Sequence, residues 1–230
     1  PRPGFHAMMN EPGINPRKPT AGFIGFTLAP RLNAAGRLGQ TEKAEQLMLT
    51  CDREEAVLLT AELEAMNRER QKIENDIWRD AQSQLKGKTP DGPIVLAADH
   101  WHQGVIGIAA SRLAEQYCLP TVMISFSGNN GKGSCRSYGN FNLYQALAAC
   151  SEYLDGFGGH ALAAGLTIQR DKLDAFRHAL RDYYVTHRPE PRPDVCCDLL
   201  LCDSTLLSIE NVQALSQLEP YGSANPKPTL

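Results

Sequence analysis

Residues 41–86 carry the clearest periodic pattern in the chain. Thr41 is placed to cap a short helix running to about Thr50. Asp52, followed three residues later by Glu55, has the form of a capping box. From there Leu59, Leu63, Met66, Ile73 and Ile77 recur at spacings of 4, 3, 7 and 4, with Arg70 standing in the vacant apolar position. Gly87, Pro90 and Gly92 stop the pattern. A helix over Asp52–Lys86 would be roughly 50 Å long at ~1.5 Å per residue. That length and its charged flanks favour a strut between two domains over an ordinary core helix.

Beyond the strut the pattern changes to alternating strands and helices, the signature of an α/β fold. Ile94–Ala98 reads as a buried strand, Val105–Tyr117 as a helix and Thr121–Phe126 as a second strand. Ser127–Gly131 is a turn, Lys132–Ser137 a strand, Leu143–Leu154 a helix, Leu166–Gln169 a strand and Asp171–His187 a helix. Arg188–Pro193, with three prolines in six residues, reads as a linker. Val195–Cys202 then reads as a strand and Leu206–Gln217 as a helix, too little for a complete domain.

The chain has 230 residues, 42% apolar and 21% charged, which is ordinary for a globular protein and excludes wholesale disorder or a collagen-like fibre. No apolar run approaches the ~20 residues that span a bilayer. The net charge is −3, so any polyanion site has to be local. Residues 1–40 carry a net +4 and residues 193–230 a net −4. The seven cysteines (51, 118, 135, 150, 196, 197 and 202) include no C-x-x-C pair and fit reduced thiols in a cytoplasmic protein. Opening at Pro1 and closing just after a turn-rich stretch, the sequence reads as a piece of a longer chain.

Four segments could carry chemistry. In Phe157-Gly158-Gly159-His160-Ala161-Leu162-Ala163-Ala164-Gly165 the glycines allow close backbone approach. Its histidine is able to bond a phosphate or a metal, or simply to complete a tight turn. In Lys132-Gly133-Ser134-Cys135-Arg136-Ser137 the guanidinium could grip phosphate with two prongs; the bland alternative is a solvated edge strand. Asp99 to Ile108 runs from a strand end into a helix N-terminus that would favour an anion. Its His100 and His102 are poorly spaced for zinc, and Trp101 reads as a packing residue. Finally, Arg31 and Arg37 flank Leu32-Asn33-Ala34-Ala35-Gly36, either a nucleic-acid backbone clamp or a loop leading into the helix at Thr41. Residues 1–40 and 89–165 hold no D-x-D, no D-H-H and no carboxylate cluster such as a two-metal phosphoesterase needs.

Taken together, these segments resemble the RecJ family of single-strand-specific 5′→3′ DNA exonucleases, within the DHH phosphoesterase superfamily. The resemblance is carried by PRLNAAGRLG (30–39), N-x-E-R-Q (67–71), WHQGVIGIAASRL (101–113), GSCRS (133–137), GFGGHALAAG (156–165) and LEPYGSANPKP (218–228). Cys135 and Tyr221 depart from the family's usual residues. The resemblance implies the tail of a DHH domain over 1–40, connecting helices over 41–88, a DHHA1 α/β domain over 89–190 and the truncated start of an OB-fold domain over 193–230. It implies that Arg136 and His160 bind the phosphate of the nucleotide being cut, that Ser134, Gly158 and Gly159 shape that pocket, and that Arg31, Asn33 and Arg37 line the strand's path.

It further implies Mn or Mg as cofactor, held by an N-terminal domain that this sequence lacks, so that this piece alone would be inactive. The partner is single-stranded DNA, with a helicase and a single-strand-binding protein as candidate partners and no membrane. The work of such an enzyme is DNA repair and recombination. Two alternatives stand beside it: a non-catalytic nucleic-acid-binding scaffold of the same fold, and a short-oligonucleotide phosphodiesterase. Retention of Arg136 and His160 argues against the first, and the long strut and OB-like tail against the second.

Overall fold

The computed structural model describes residues 2–11, 14, 20–188, 197–222 and 224–229. The chain forms two compact units, Pro1–Asn67 with Pro193–Leu230, and Arg68–Arg192.

The first unit is helical. Helix α1 spans Pro3–Met9. The short α2, Ala21–Phe23, is capped by Thr20 Oγ1, which accepts from Phe23 N at 3.1 Å. It passes through a π-helical stretch, Ile24–Leu28, into α3, Ala29–Arg37, and α4 follows over Thr41–Leu49. Thr41 is therefore the first helical residue of α4 rather than its cap, and Gln40 precedes it without a capping side-chain bond. The Arg31–Arg37 segment, expected as a loop if it were not a clamp, is helix. At Gly4 α1 comes so close to α4 that a Cβ would fall 2.0 Å from Leu47 O. Met8, Leu28, Ala34, Ala35, Leu47, Leu59, Leu63 and Met66 fill this unit's core.

Helix α5, Arg53–Leu85, is the long helix that the periodicity predicts, at 33 residues. Asp52 Oδ1 accepts from Glu54 N (2.7 Å) and Glu55 N (3.1 Å). Only half of the capping box forms, because the Glu55 carboxylate takes the Thr50 hydroxyl instead. Leu59, Leu63 and Met66 belong to the first unit's core, whereas Ile77, Ala81 and Leu85 belong to the second's. Between them Arg70 pairs with Glu74 at 2.5 Å, one turn on.

The second unit is a five-stranded sheet with helices. Its strands are β1 (Ile94–Ala98), β2 (Thr121–Ser127), β3 (Asn130–Arg136), β4 (Gly156–Gly159) and β5 (Ala163–Gln169), in the order β1-β2-β3-β5-β4. β1 and β2 are parallel and the other pairs antiparallel. The helices are α6 (Ile106–Tyr117), α7 (Leu143–Ala149) and α8 (Leu173–Thr186). Two sequence expectations are corrected here. β3 lies in the middle of the sheet rather than at an edge, and the glycine-rich segment before His160, which could have been a bare turn, is the edge strand β4. Four residues with three glycines carry almost no strand propensity; pairing with β5 makes them a strand.

Alternation sorts β3 into two faces. Gly131, Gly133 and Cys135 share a face with Ile124 and Phe126 of β2 and with Leu166 and Ile168 of β5. These apolar residues join Leu143, Leu147, Phe176 and Leu180 of α7 and α8 in one buried cluster. The glycines are steric necessities: a Cβ on Gly131 would lie 2.6 Å from the Phe126 ring, and one on Gly133 2.8 Å from Leu166. Lys132, Ser134 and Arg136 occupy the opposite face. At the sheet's outer side β1 is protected from further strand pairing, since Gln84 Nε2 and Arg177 Nε donate to Ala97 O (3.4 Å) and Val95 O (3.3 Å).

Val195 and Cys196 of the expected strand Val195–Cys202 lie outside the described residues, as does most of the expected linker. Residues 197–202 form no strand; Asp198 N and Leu199 N instead meet the single carbonyl of Thr229. The expected helix Leu206–Gln217 is shorter, with α9 over Ile209–Ala214, opened by Ser208 and followed by a 3₁₀ turn to Leu218. The start of an OB-fold is not visible among the described residues.

Six described cysteines are free thiols. Burial pushes the Cys135 thiol from 9.0 up to about 12, only partly opposed by the Arg136 charge. Burial likewise raises Cys150 to about 11, with Glu152 adding to the rise. In alkylation with iodoacetamide at pH 8, Cys51, Cys118, Cys197 and Cys202 react in the folded chain and Cys135 and Cys150 only after denaturation. A raised thiol pKa stabilises the fold fully below the unfolded value, so unfolding free energy declines above pH ~9 as the unfolded thiols ionise. Labelling of Cys135 at the rate of the exposed thiols would contradict the buried face of β3.

Candidate nucleic-acid interface

Arg136 ends β3, and helix α6 shapes its surroundings. Its Nε donates to Ser111 Oγ (3.1 Å), and Ser111 in turn donates to Gly107 O (3.2 Å). Nη1 donates to Ser134 Oγ (3.0 Å) and to Cys135 O (2.7 Å). Because Ser134 accepts from the guanidinium, its own hydroxyl hydrogen is left to donate. Gly107 makes the arrangement possible: a Cβ there would stand 2.8 Å from both Arg136 Nη2 and Ser134 Oγ. Gly107 and Ser111, one turn apart on α6, are the positioning residues that sequence reading passed over. Their signal was the i, i+4 pair of small residues in Gly107-Ile108-Ala109-Ala110-Ser111.

The ladder carries this face across the sheet. Ser134 pairs with Gly165, and Gly165 with Gly158. Arg136 pairs with Ala163, whose carbonyl accepts from His160 N at 2.9 Å, one residue beyond β4. Arg136, Ala163 and His160 therefore form one row, with the outer two backbones about 10 Å apart at ~4.8 Å per strand. His160 is exposed, and its Nδ1 accepts from Leu162 N (3.3 Å), which puts the proton of the neutral ring on Nε2. The two glycines before it differ. Gly159 has φ +142°, and a Cβ there would sit 2.5 Å from Ala163 O, so packing alone demands glycine. A Cβ on Gly158 would meet nothing within 4 Å.

Other candidates resolve differently. The N–H groups just before and at the start of α6 bond His102: Gly104 N donates to its Nδ1 (3.1 Å), and Val105 N and Ile106 N to its carbonyl (2.9 and 3.1 Å). The backbone leading into α6 is thus turned inward onto His102, up to the helix's first residue. His100 Nε2 lies 3.3 Å from Asp80, which also takes the Trp101 indole N–H (2.8 Å), and Trp101 is buried. Among the described residues no three His, Cys, Asp or Glu side chains are grouped to hold a metal ion. No helix among them is long and apolar enough to cross a membrane.

Arg31, Asn33 and Arg37 lie on α3 in the first unit. Arg31 Nε meets Glu64 of α5 at 2.6 Å, both side chains largely buried, and its Nη1 donates to Thr27 O (2.6 Å). Asn33 and Arg37 are one turn apart on one side of α3, and Arg31 is about 200° around from Asn33 at ~100° per residue. The helix thus groups Asn33 with Arg37 and turns Arg31 inward.

Residues 91–186 match the DHHA1 domain family. Beyond that match, the chain is similar over most of its length to the single-stranded-DNA-specific exonuclease RecJ of Bacillus subtilis, 35% identical over 212 residues that cover 89% of this chain and 27% of the relative. It is 33% identical over 240 residues to the protein of that name from Escherichia coli, covering 99% of this chain and 41% of the relative. Among solved structures it resembles RecJ in complex with Mg2+ from Thermus thermophilus, with a TM-score of 0.85 at 35% identity, over 98% of this chain and 35% of that one. It also resembles an exonuclease RecJ bound to manganese, with a TM-score of 0.69 at 32% identity, over 84% of this chain and 46% of that one. The chain spans well under half the length of the curated relatives it matches.

Two substitution pairs separate packing from site. Gly159→Ala destabilises the second unit by about 1–3 kcal/mol through strain and overlap, whereas Gly158→Ala leaves the melting temperature unchanged within error. Arg31→Ala, which removes the cation from the largely buried pair with Glu64, costs about 1–3 kcal/mol in urea unfolding, while Asn33→Ala stays within about 0.5 kcal/mol. A neutral Arg31→Ala would mean that the pair does not hold α3 to α5.

Proposed function

We propose that this chain is the phosphate-gripping and strand-guiding part of a metal-dependent 5′→3′ exonuclease that hydrolyses phosphodiester bonds of single-stranded DNA in repair and recombination. The observation that carries this reading is the guanidinium of Arg136, half-buried and bonded to Ser111 and Ser134 in one row with exposed His160. The hydroxyls orient the fork, and a guanidinium so oriented can meet phosphate in a two-pronged contact.

In this reading Arg136 takes the phosphate of the nucleotide being cut, Ser134 adds its hydroxyl hydrogen, and His160 donates from Nε2. These donors stabilise charge that builds on the non-bridging oxygens during in-line displacement. Gly159 sets the turn, and Gly158 leaves backbone open for the ligand. Asn33 and Arg37 line the strand's path, and Arg31, expected beside them, serves as a positioning residue that holds α3 through Glu64. The division is a DHH-domain tail over 1–40, connecting helices over 41–88, the DHHA1 domain over 89–190 and the start of an OB-fold over 193–230. A divalent metal ion, Mn or Mg, would activate the attacking water, its ligands belonging to the part of the relatives that this chain does not span. A helicase and a single-strand-binding protein are the partner classes suited to an enzyme that needs a free single strand.

The test is manganese-dependent digestion of a 5′-labelled single strand by this chain and by the chain joined to the remaining length of its relatives. Activity is expected only in the longer protein. There, His160→Ala and Arg136→Ala each lower turnover by about a hundredfold or more, and His160→Ala changes strand affinity by less than about twofold. Unchanged turnover in both variants would overturn the phosphate roles. A longer protein that binds the strand without digesting it would favour the non-catalytic scaffold.

A further inference from the structure

β3 carries one more cation on the face of Ser134 and Arg136. Register places Lys132 two residues before Ser134 in the same alternation, opposite Thr167 of β5, which is itself opposite Gly156 of β4. Residues 89–165 contain only three cations. Arg112 lies 3.9 Å over the Trp78 ring, and Arg136 is bonded to its serines. Lys132 is exposed, and among the described residues no acidic side chain is paired with it. Beside it a shallow cavity of about 370 Å³ runs along the sheet, lined by Lys132, Thr167, Gly156, Gly158 and Gly165. Thr167 donates to Gly156 O (3.3 Å), which leaves its oxygen lone pairs at the cavity wall. An ammonium at the mouth of a groove, on the same sheet face as a guanidinium, suits a ligand bearing several negative charges in line.

We propose that Lys132 forms a second anion subsite, holding a phosphate further along the strand from the one on Ser134 and Arg136. The inference rests on the phosphate reading of Arg136 and extends it from one nucleotide to a short run of strand. Strand side chains stand roughly perpendicular to the sheet, and at ~3.4 Å per residue Lys132 and Arg136 are about 14 Å apart. The two cations therefore serve different phosphates instead of clamping one. The ligand class is a single-stranded oligonucleotide of two or more phosphates, and a mononucleotide would occupy only the Arg136 end.

The experiment compares binding of a 5′-phosphorylated thymidine mononucleotide and a 5′-phosphorylated thymidine trinucleotide to the full 230-residue chain, by calorimetry over a series of salt concentrations. Lys132→Gln is expected to weaken the trinucleotide about five- to tenfold, to lower its salt slope by about 0.7, and to leave the mononucleotide unchanged. Lys132→Arg should restore both values, and Lys86→Gln, an exposed lysine outside this face, should change neither ligand. Equal weakening of both ligands by Lys132→Gln, or no weakening of either, overturns the subsite alone. If Arg136→Ala alters neither ligand, the phosphate reading falls and the subsite with it.

Discussion

The second unit depends on how tightly the apolar side of its sheet is packed. Phe126, Ile124 and Leu166 press so closely on β3 that only glycine fits at 131 and 133. Those two residues fix the register of the central strand, since a shift by one position would drive Lys132 or Ser134 into Phe126 and Leu166. With the register set, Lys132, Ser134 and Arg136 have one place to be, the opposite face. The polar row is thus a consequence of the core behind it, and the cost of misplacing a charge in that core protects the site's geometry.

A second constraint acts from the other side. Arg136 would be a mobile surface residue if α6 did not lie against it, and α6 approaches closely only because Gly107 has no side chain. Ser111 and Ser134 then hold the guanidinium through hydrogen bonds. The contrast with Arg31 is instructive: there the partner is the carboxylate of Glu64, largely buried beside it. Two arginines of similar promise in the sequence thus sit in different settings, one bonded by the hydroxyls of α6 and β3, the other turned inward onto a carboxylate.

The long helix α5 shows a different economy. Its apolar residues supply two separate cores, and the changeover falls at Arg70, where the seven-residue gap in the periodicity lies. A single amphipathic element can serve two hydrophobic clusters when a charged pair marks the break between them.

Much of this was legible in the sequence. The span of α5, the strands at 94 and 121, and the helices at 106 and 173 follow from periodicity and breakers, because burial of an apolar face is written directly into residue spacing. The six motifs also carried the resemblance to RecJ. What only the tertiary structure decided concerns partners distant in sequence. That Gly156–Gly159 is an edge strand depends on β5, and that β3 is central depends on pairing on both sides. That Arg31 turns inward while Asn33 and Arg37 stay together depends on α3 being a helix beside Glu64. The orientation of Arg136 depends on Gly107 and Ser111, the latter 25 residues earlier in the chain. Local composition specifies which elements can form; which faces of them remain open is settled by packing between elements, where close approach and charge pairing are decided atom by atom.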